Sequence, residues 1–273
     1  MPEMVTGNRP ADGGHLIIED SDYEDFIRKE SNAKQYIKQL VGSEEFINNK
    51  KRWCLWLTDV TPAELRKMPE VMKRIELCKE SRENSPDAGR RKLAATPALF
   101  REQKNPQNYV LVPKVSSERR RYIPMGFLNG ETISTDLNFI IPDASLYQFG
   151  VLTSNVHMAW MRAVCGRLKS DYRYSKDVVY NNFPWPSPTD VLKERIEQTA
   201  QAILDARNLY PDSSLADLYD QMTMPKELIW AHQQNDLAVM KAYGWSNKDA
   251  AFGSETACVA ELMKMYKKMR ENS

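Results

Sequence analysis

Phe183-Pro184-Trp185-Pro186-Ser187-Pro188 sets three prolines at alternate positions, so no helix and no inner strand can run through it. Each ring fixes φ and removes a backbone donor, and each pushes the residue before it out of the helical region. The segment reads as a rigid link and marks an expected domain boundary. Beyond it the pattern is helical. Leu192, Ile196, Thr199, Ile203, Ala206 and Tyr210 recur at alternating spacings of four and three, and Val259, Leu262, Tyr266 and Met269 do the same near the far end. Pro225 and Gly244 bracket a further helix between them. Three or four antiparallel helices are expected to form a small bundle.

Before the prolines the periods are mixed. Two short amphipathic helices are expected near Tyr23–Lys29 and Ala33–Leu40, the second ending at Gly42. Trp53-Cys54-Leu55-Trp56-Leu57 reads as a buried strand, Thr61-Pro62 as a helix start, and Pro69 as the opening of a helix to about Glu83. Tyr109–Val112, Tyr122–Phe127 and Asn138–Ile141 are short β-type runs, and Asn129-Gly130 is the sharpest hairpin signal. Leu146, Phe149, Val156, Trp160 and Val164 share one face of a long helix expected over Ser145–Arg167. The fold class is therefore α+β, with short antiparallel strands and helices followed by a helical bundle.

The 273 residues carry a formal net charge of only +1, but the charges are segregated. Met1–Asn49 holds five Lys and Arg against ten Asp and Glu, and Ser187–Ser273 holds ten against thirteen, whereas Lys50–Pro186 holds twenty-three against fourteen. A basic centre between acidic flanks suits a polyanionic partner, with a solvated basic face as the alternative. At 42% hydrophobic and 27% charged the composition is that of a globular protein. No apolar run approaches the roughly 18 residues of a membrane span and no export signal is visible, so a cytoplasmic protein without a membrane partner is expected. Cys54, Cys78, Cys165 and Cys258 are too scattered for a CxxC site and read as buried free thiols.

Catalytic patterns are weak. Pro86-Asp87 with Glu102-Gln103-Lys104 matches the PD-(D/E)xK nuclease pattern on paper, but the residues between them read as loop and short helix where that chemistry needs adjoining strands. Asn182-Phe183-Pro184-Trp185 has Phe where the N-P-P-aromatic motif of adenine methyltransferases has its first proline. His15, His157 and His232 stand apart, and no Walker loop, GxGxxG or GxSxG occurs. The chain reads as a binder, with no catalytic, metal or cofactor residues of its own.

Two clusters carry the positive signal. Lys114, Ser116, Ser117, Arg119, Arg120, Arg121 and Tyr122 fall between expected strands, and Arg167, Lys169, Arg173, Tyr174, Ser175 and Lys176 follow the expected long helix. Arginine forks suit guanine edges and phosphates, and hydroxyls reach phosphate oxygens. One continuous basic face is expected, with Arg119, Arg121, Arg173 and Lys169 nearest double-stranded DNA. At least one of Arg119, Arg121 and Arg173 is expected to read a base.

The same residues carry a family resemblance. Gly42-Ser43-Glu44-Glu45-Phe46-Ile47-Asn48, Arg52–Leu57, Val115–Arg120, Cys165–Ser175 and Tyr180–Pro184 stand in the order found in MmeI-like restriction-modification enzymes. The tail, with Met224-Pro225, Leu228, Ala231-His232, Asp236, Val239 and Tyr243-Gly244, resembles the same family. The resemblance implies a DNA-binding target recognition domain over 49–186 and a helical domain over 187–273. Residues 1–48 would lead in from an upstream methyltransferase domain of the same polypeptide, and the looped start of the chain suits a cut from something longer. It further implies that S-adenosylmethionine and adenine-N6 transfer belong to that upstream part, with or without an endonuclease domain. The rival reading is a helical docking or scaffold piece that makes protein contacts and reads no DNA.

Overall fold

The computed structural model describes residues 2–271. Its strands are β1 (Val5–Thr6), β2 (Ile17–Glu19), β3 (Ile37–Val41), β4 (Arg52–Leu55), β5 (Asn108–Pro113), β6 (Val115–Ser116), β7 (Gly126–Asn129), β8 (Thr132–Ser134), β9 (Asn138–Pro142), β10 (Gly166–Leu168) and β11 (Asp171–Arg173). Its helices are α1 (Asp20–Lys29), α2 (Ser43–Asn48), α3 (Pro62–Leu65), α4 (Pro69–Glu83), α5 (Ala88–Lys92), α6 (Leu146–Leu152), α7 (Asn155–Val164), α8 (Asp190–Asn208), α9 (Leu215–Leu218), α10 (Lys226–Ala242), α11 (Ala250–Gly253) and α12 (Glu255–Glu271). The class is α+β. No helix among the described residues is long and apolar enough to cross a membrane.

The chain divides into two compact units, one of Thr6–Gln107 with Leu128–Asn138, the other of the residues up to Val5, Asn108–Phe127 and everything from Phe139 onward. The smaller unit is built on the sheet β2-β4-β3-β8, antiparallel except for the parallel pair β3–β8. Leu40, Cys54, Leu55 and Ile133 point into a core closed by Met68, Val71, Ile75 and Cys78. The helix start at Thr61-Pro62 forms as expected, with the Thr61 hydroxyl accepting from Glu64 N and Pro62 in the first turn. The expected helix over Ala33–Leu40 does not form. Ser31–Tyr36 is a 3-10 helix and Ile37–Val41 is a strand, because β3 is bonded on both edges, by β4 and β8. The Asn129-Gly130 turn also departs from expectation. β7 joins β5, whereas β8 joins β3, so the strands on either side of the turn go to different sheets.

Arg82, at the end of α4, is fully buried and has no ion pair with a carboxylate among the described residues. Its five N–H groups instead donate to the carbonyls of Pro10, Ala11, Leu93, Thr96 and Leu99 at 2.7–3.0 Å. Asp87 caps α5, Glu102 accepts from Arg9 N and Lys104 Nζ donates to Thr6 O, so all three nuclease-like residues have structural partners.

The larger unit holds the sheet β1-β9-β5-β7, the small sheet β10-β11-β6 and helices α6 to α12. The long helix expected over Ser145–Arg167 is two helices. Thr153 Oγ1 turns back to Phe149 O at 2.8 Å, and Ser154 caps α7 by accepting from His157 N. The proline segment does not separate two packing units. Helices α8 and α10, which follow it, pack on α6, which precedes it, and Phe183 is buried against the His157 ring at 4.6 Å. Tyrosine hydroxyls fasten the segment at two points, Tyr243 to Pro184 O at 2.7 Å and Tyr147 to Pro186 O at 3.1 Å. Gly150 lies where α6 meets α8, and a Cβ there would stand 2.7 Å from Ile196 Cγ2.

Candidate nucleic-acid interface

The two basic clusters come together in one small sheet. β11 pairs antiparallel with β10 on one side and β6 on the other, with Arg167 opposite Tyr172, Tyr172 opposite Ser116, and Arg173 opposite Val115. Strand pairing thus joins Val115 and Ser116 to Tyr172 and Arg173 across nearly sixty positions of chain. A two-residue turn, Lys169-Ser170, connects β10 to β11, and Lys169 adopts the left-handed region at φ 55°. The Arg167 guanidinium lies 4.0 Å from the centre of the Tyr172 ring and donates to Ser170 O at 2.9 Å, which holds it flat on the hairpin.

Strand alternation sorts the candidate residues. Arg167, Lys169 and Arg173 are exposed, and so are Arg119 and Arg121 in the loop after β6. Arg167, opposite Tyr172, lies over that ring on its face of the sheet, and Arg173 projects from the other face. Tyr172 and Tyr174 face inward. Tyr174 is 2% exposed, and its hydroxyl sits 2.9 Å from His157 Nε2 in the core, so it is absent from the basic surface. Ser116, also 2% exposed, is turned away likewise. Ser175 spends its hydroxyl capping a π-helical turn at Lys176–Tyr180, and Lys176 lies 3.7 Å from Asp177. Lys114 sets its ammonium 4.6 Å from the Phe139 ring centre. Arg120 is half-buried beside Asp171 and Asp220, and desolvation lowers its pKa. Ser117 is half-buried, and its hydroxyl accepts from Arg119 N at 3.3 Å, shaping the loop.

The loop is held by a network that joins Tyr122, at its end, to groups on α7, α8, α10 and α12. Tyr122 donates to Asp236 Oδ2 at 2.7 Å and stacks on the His232 ring at 4.0 Å between centroids. Asp236 Oδ1 accepts from Asn155 N at 2.8 Å. Arg162 donates to Arg121 O at 3.1 Å while forking onto both Glu255 oxygens at 2.8 Å. Arg207 donates to Met125 O at 2.6 Å and to the Tyr219 hydroxyl, which in turn lies 2.8 Å from His232 Nε2. Burial raises the Asp236 carboxyl to about 6, against the pull of its hydrogen bonds and of Arg121 and Arg162. Burial depresses His157 to about 3, and burial with the nearby charge of Arg207 holds His232 well below its ordinary value, so both rings are neutral at pH 7. In the sequence Tyr122 stands with the basic cluster and His232 and Asp236 with the family pattern, and nothing there joins them, because they meet only through packing. A cavity of about 700 Å³ opens beside the loop, bordered by Arg119, Arg120, Asn155, Gln233 and Phe252 among others.

The description "MmeI, target recognition domain" matches residues 1–187, and "MmeI, C-terminal domain" matches residues 188–272. This chain belongs to the MmeI target recognition domain family. DNA methyltransferase A of Bacillus subtilis (strain 168) is 42% identical over 272 residues, which is 99% of this chain and 30% of that protein. The solved structure of the Type IIL restriction-modification enzyme MmeI in complex with DNA superposes with a TM-score of 0.95 at 43% identity, over 99% of this chain and 36% of that one. The chain thus spans about a third of the length of either relative, the part that carries the target recognition and C-terminal domains.

Proposed function

We propose that this chain reads duplex DNA for a site-specific adenine-N6 methyltransferase of the restriction-modification kind, acting in the cytoplasm. The observation that carries the reading is the β6–β11–β10 sheet, which brings two arginine-bearing segments into one structure within a family of target recognition domains. The likeness to MmeI, solved with DNA, supports it.

In this reading Arg119, Arg121, Arg167, Lys169 and Arg173 face the DNA, with Lys114, Arg120 and Lys176 adding charge nearby. Phosphate contacts give affinity and register, and one or more of Arg119, Arg121 and Arg173 reads a base edge in the major groove. S-adenosylmethionine supplies the methyl group in an upstream domain of the same polypeptide, where the target adenine is taken out of the stack. This chain's part is to dock, fix the register and present the site.

A DNA titration tests the reading. If about five phosphates are neutralised, log affinity should fall against log salt with a slope of roughly −4 to −5. Alanine at a phosphate contact should weaken all sequences alike, whereas alanine at a base-reading arginine should cost about 1–3 kcal/mol against the original base and alter the methylated sequence. Binding that ignores salt, or none at all, would favour a role in protein docking instead.

A further inference from the structure

We propose that Asp236 of α10 is a positioning residue for DNA recognition, setting the arginine loop 117–121 through the Tyr122 hydroxyl. This rests on the reading of that loop as a DNA contact. Within the loop, Arg119 N and Arg120 N bond back to the hydroxyl and carbonyl of Ser117. Its C-terminal end is fixed from outside, by Arg162 on Arg121 O and by Tyr122 on Asp236. The second of these is buried, and Asp236 is 4% exposed.

The carboxylate has two tasks. One oxygen holds Tyr122, and the other holds the N–H of Asn155, the first residue of α7. α7 runs straight into β10, which begins the second basic segment. A single side chain therefore anchors the end of one arginine set and the start of the helix leading to the other. His232, one turn earlier on α10, supports the Tyr122 ring from below by stacking.

Stability alone is a poor reason for an acid here. Asp236 accepts from two uncharged donors and makes no ion pair among the described residues, so it sits in the core at a desolvation cost. A fixed geometry between the loop and α7 is what the cost sustains.

Tyr122→Phe removes only the hydroxyl, and Asp236→Asn keeps the shape while removing one acceptor. Both are to be titrated in the full-length protein, against a duplex carrying its own methylation site as found by methylation-sensitive sequencing, and against an unrelated duplex. Each variant is expected to weaken the specific duplex about tenfold and the unrelated one little, with near-UV circular dichroism unchanged. In an Arg119→Ala/Arg121→Ala background, Tyr122→Phe should cost nothing further, because the side chains it positions are gone. Losses that add in that background, or equal losses on both duplexes, overturn the proposal in favour of plain structural support. If Arg119→Ala/Arg121→Ala leaves binding intact, the loop is not a DNA contact and the proposal falls with that reading. Should Asp236→Asn misfold, Tyr122→Phe decides alone.

Discussion

A buried guanidinium without an acid needs carbonyls, and Arg82 has one for each N–H. The five oxygens come from two stretches of chain, 10–11 and 93–99, so one side chain closes both onto α4. Arg82→Ala should cost about 3–5 kcal/mol, since it strands those carbonyls and leaves a cavity, and Arg82→Met should recover only the packing part. Urea unfolding followed by the fluorescence of Trp56, buried in the same core, checks both. No sequence pattern announces such a residue, because its partners are backbone atoms whose position the fold decides. Tyr174 is the opposite case. Counted along β11 and one residue beyond, Tyr172 and Tyr174 fall on one face and Arg173 on the other, so period-two alternation predicts the burial of Tyr174. The donors on either side of it, Arg173, Ser175 and Lys176, mask that alternation in the sequence, which is why the expected surface set includes Tyr174.

Helices were legible where local chemistry decides them, and less so where partners do. Thr61-Pro62, Pro69 and the four-and-three spacing of α8 gave elements close to those observed. Ile37–Val41 carries a helix-compatible spacing, yet pairing with β4 and β8 makes it a strand. The Asn-Gly turn was visible, but not the destination of its strands, since Ile133 of β8 is drawn into the core beside Leu40. The α6–α7 break is made locally by Thr153 and Ser154 and reinforced from a distance, where Asp236 on α10 accepts from the first N–H of α7. At this scale Gly150 offers a test. Alanine there would press on Ile196 and Ala200 of α8 and on Asn235 of α10, and should cost about 1–3 kcal/mol. A calorimetric scan of Gly150→Ala measures it, and an unchanged midpoint would mean that α6 can shift.

For the molecule as a whole, acid stability is set by groups that titrate in opposite senses. His157 is depressed from 6.5 to about 3, so between those values the unfolded chain binds a proton that the folded one refuses, and stability drops as the pH is lowered, by about 1.4 kcal/mol per unit. Asp236 is raised from 3.8 to about 6, so over that window the folded chain binds the extra proton and stability grows as pH falls, by about 3 kcal/mol in all. Asp236→Asn should therefore steepen the acid loss between pH 6 and 4, and His157→Gln should flatten it. Denaturant midpoints at stepped pH check both signs. The segregated charge pointed to a polyanion from the sequence alone, but it could not say which arginines come together, because that follows from pairing across nearly sixty residues. The proline strut has a last consequence, for anyone exchanging specificities between relatives. A splice at residue 187 would follow the family boundary yet cut through a shared core, leaving Tyr147, Tyr243 and Gly150 to meet foreign partners. Grafts that carry α8 to α12 along with the recognition strands should stay soluble, and those that change parent at the prolines should not.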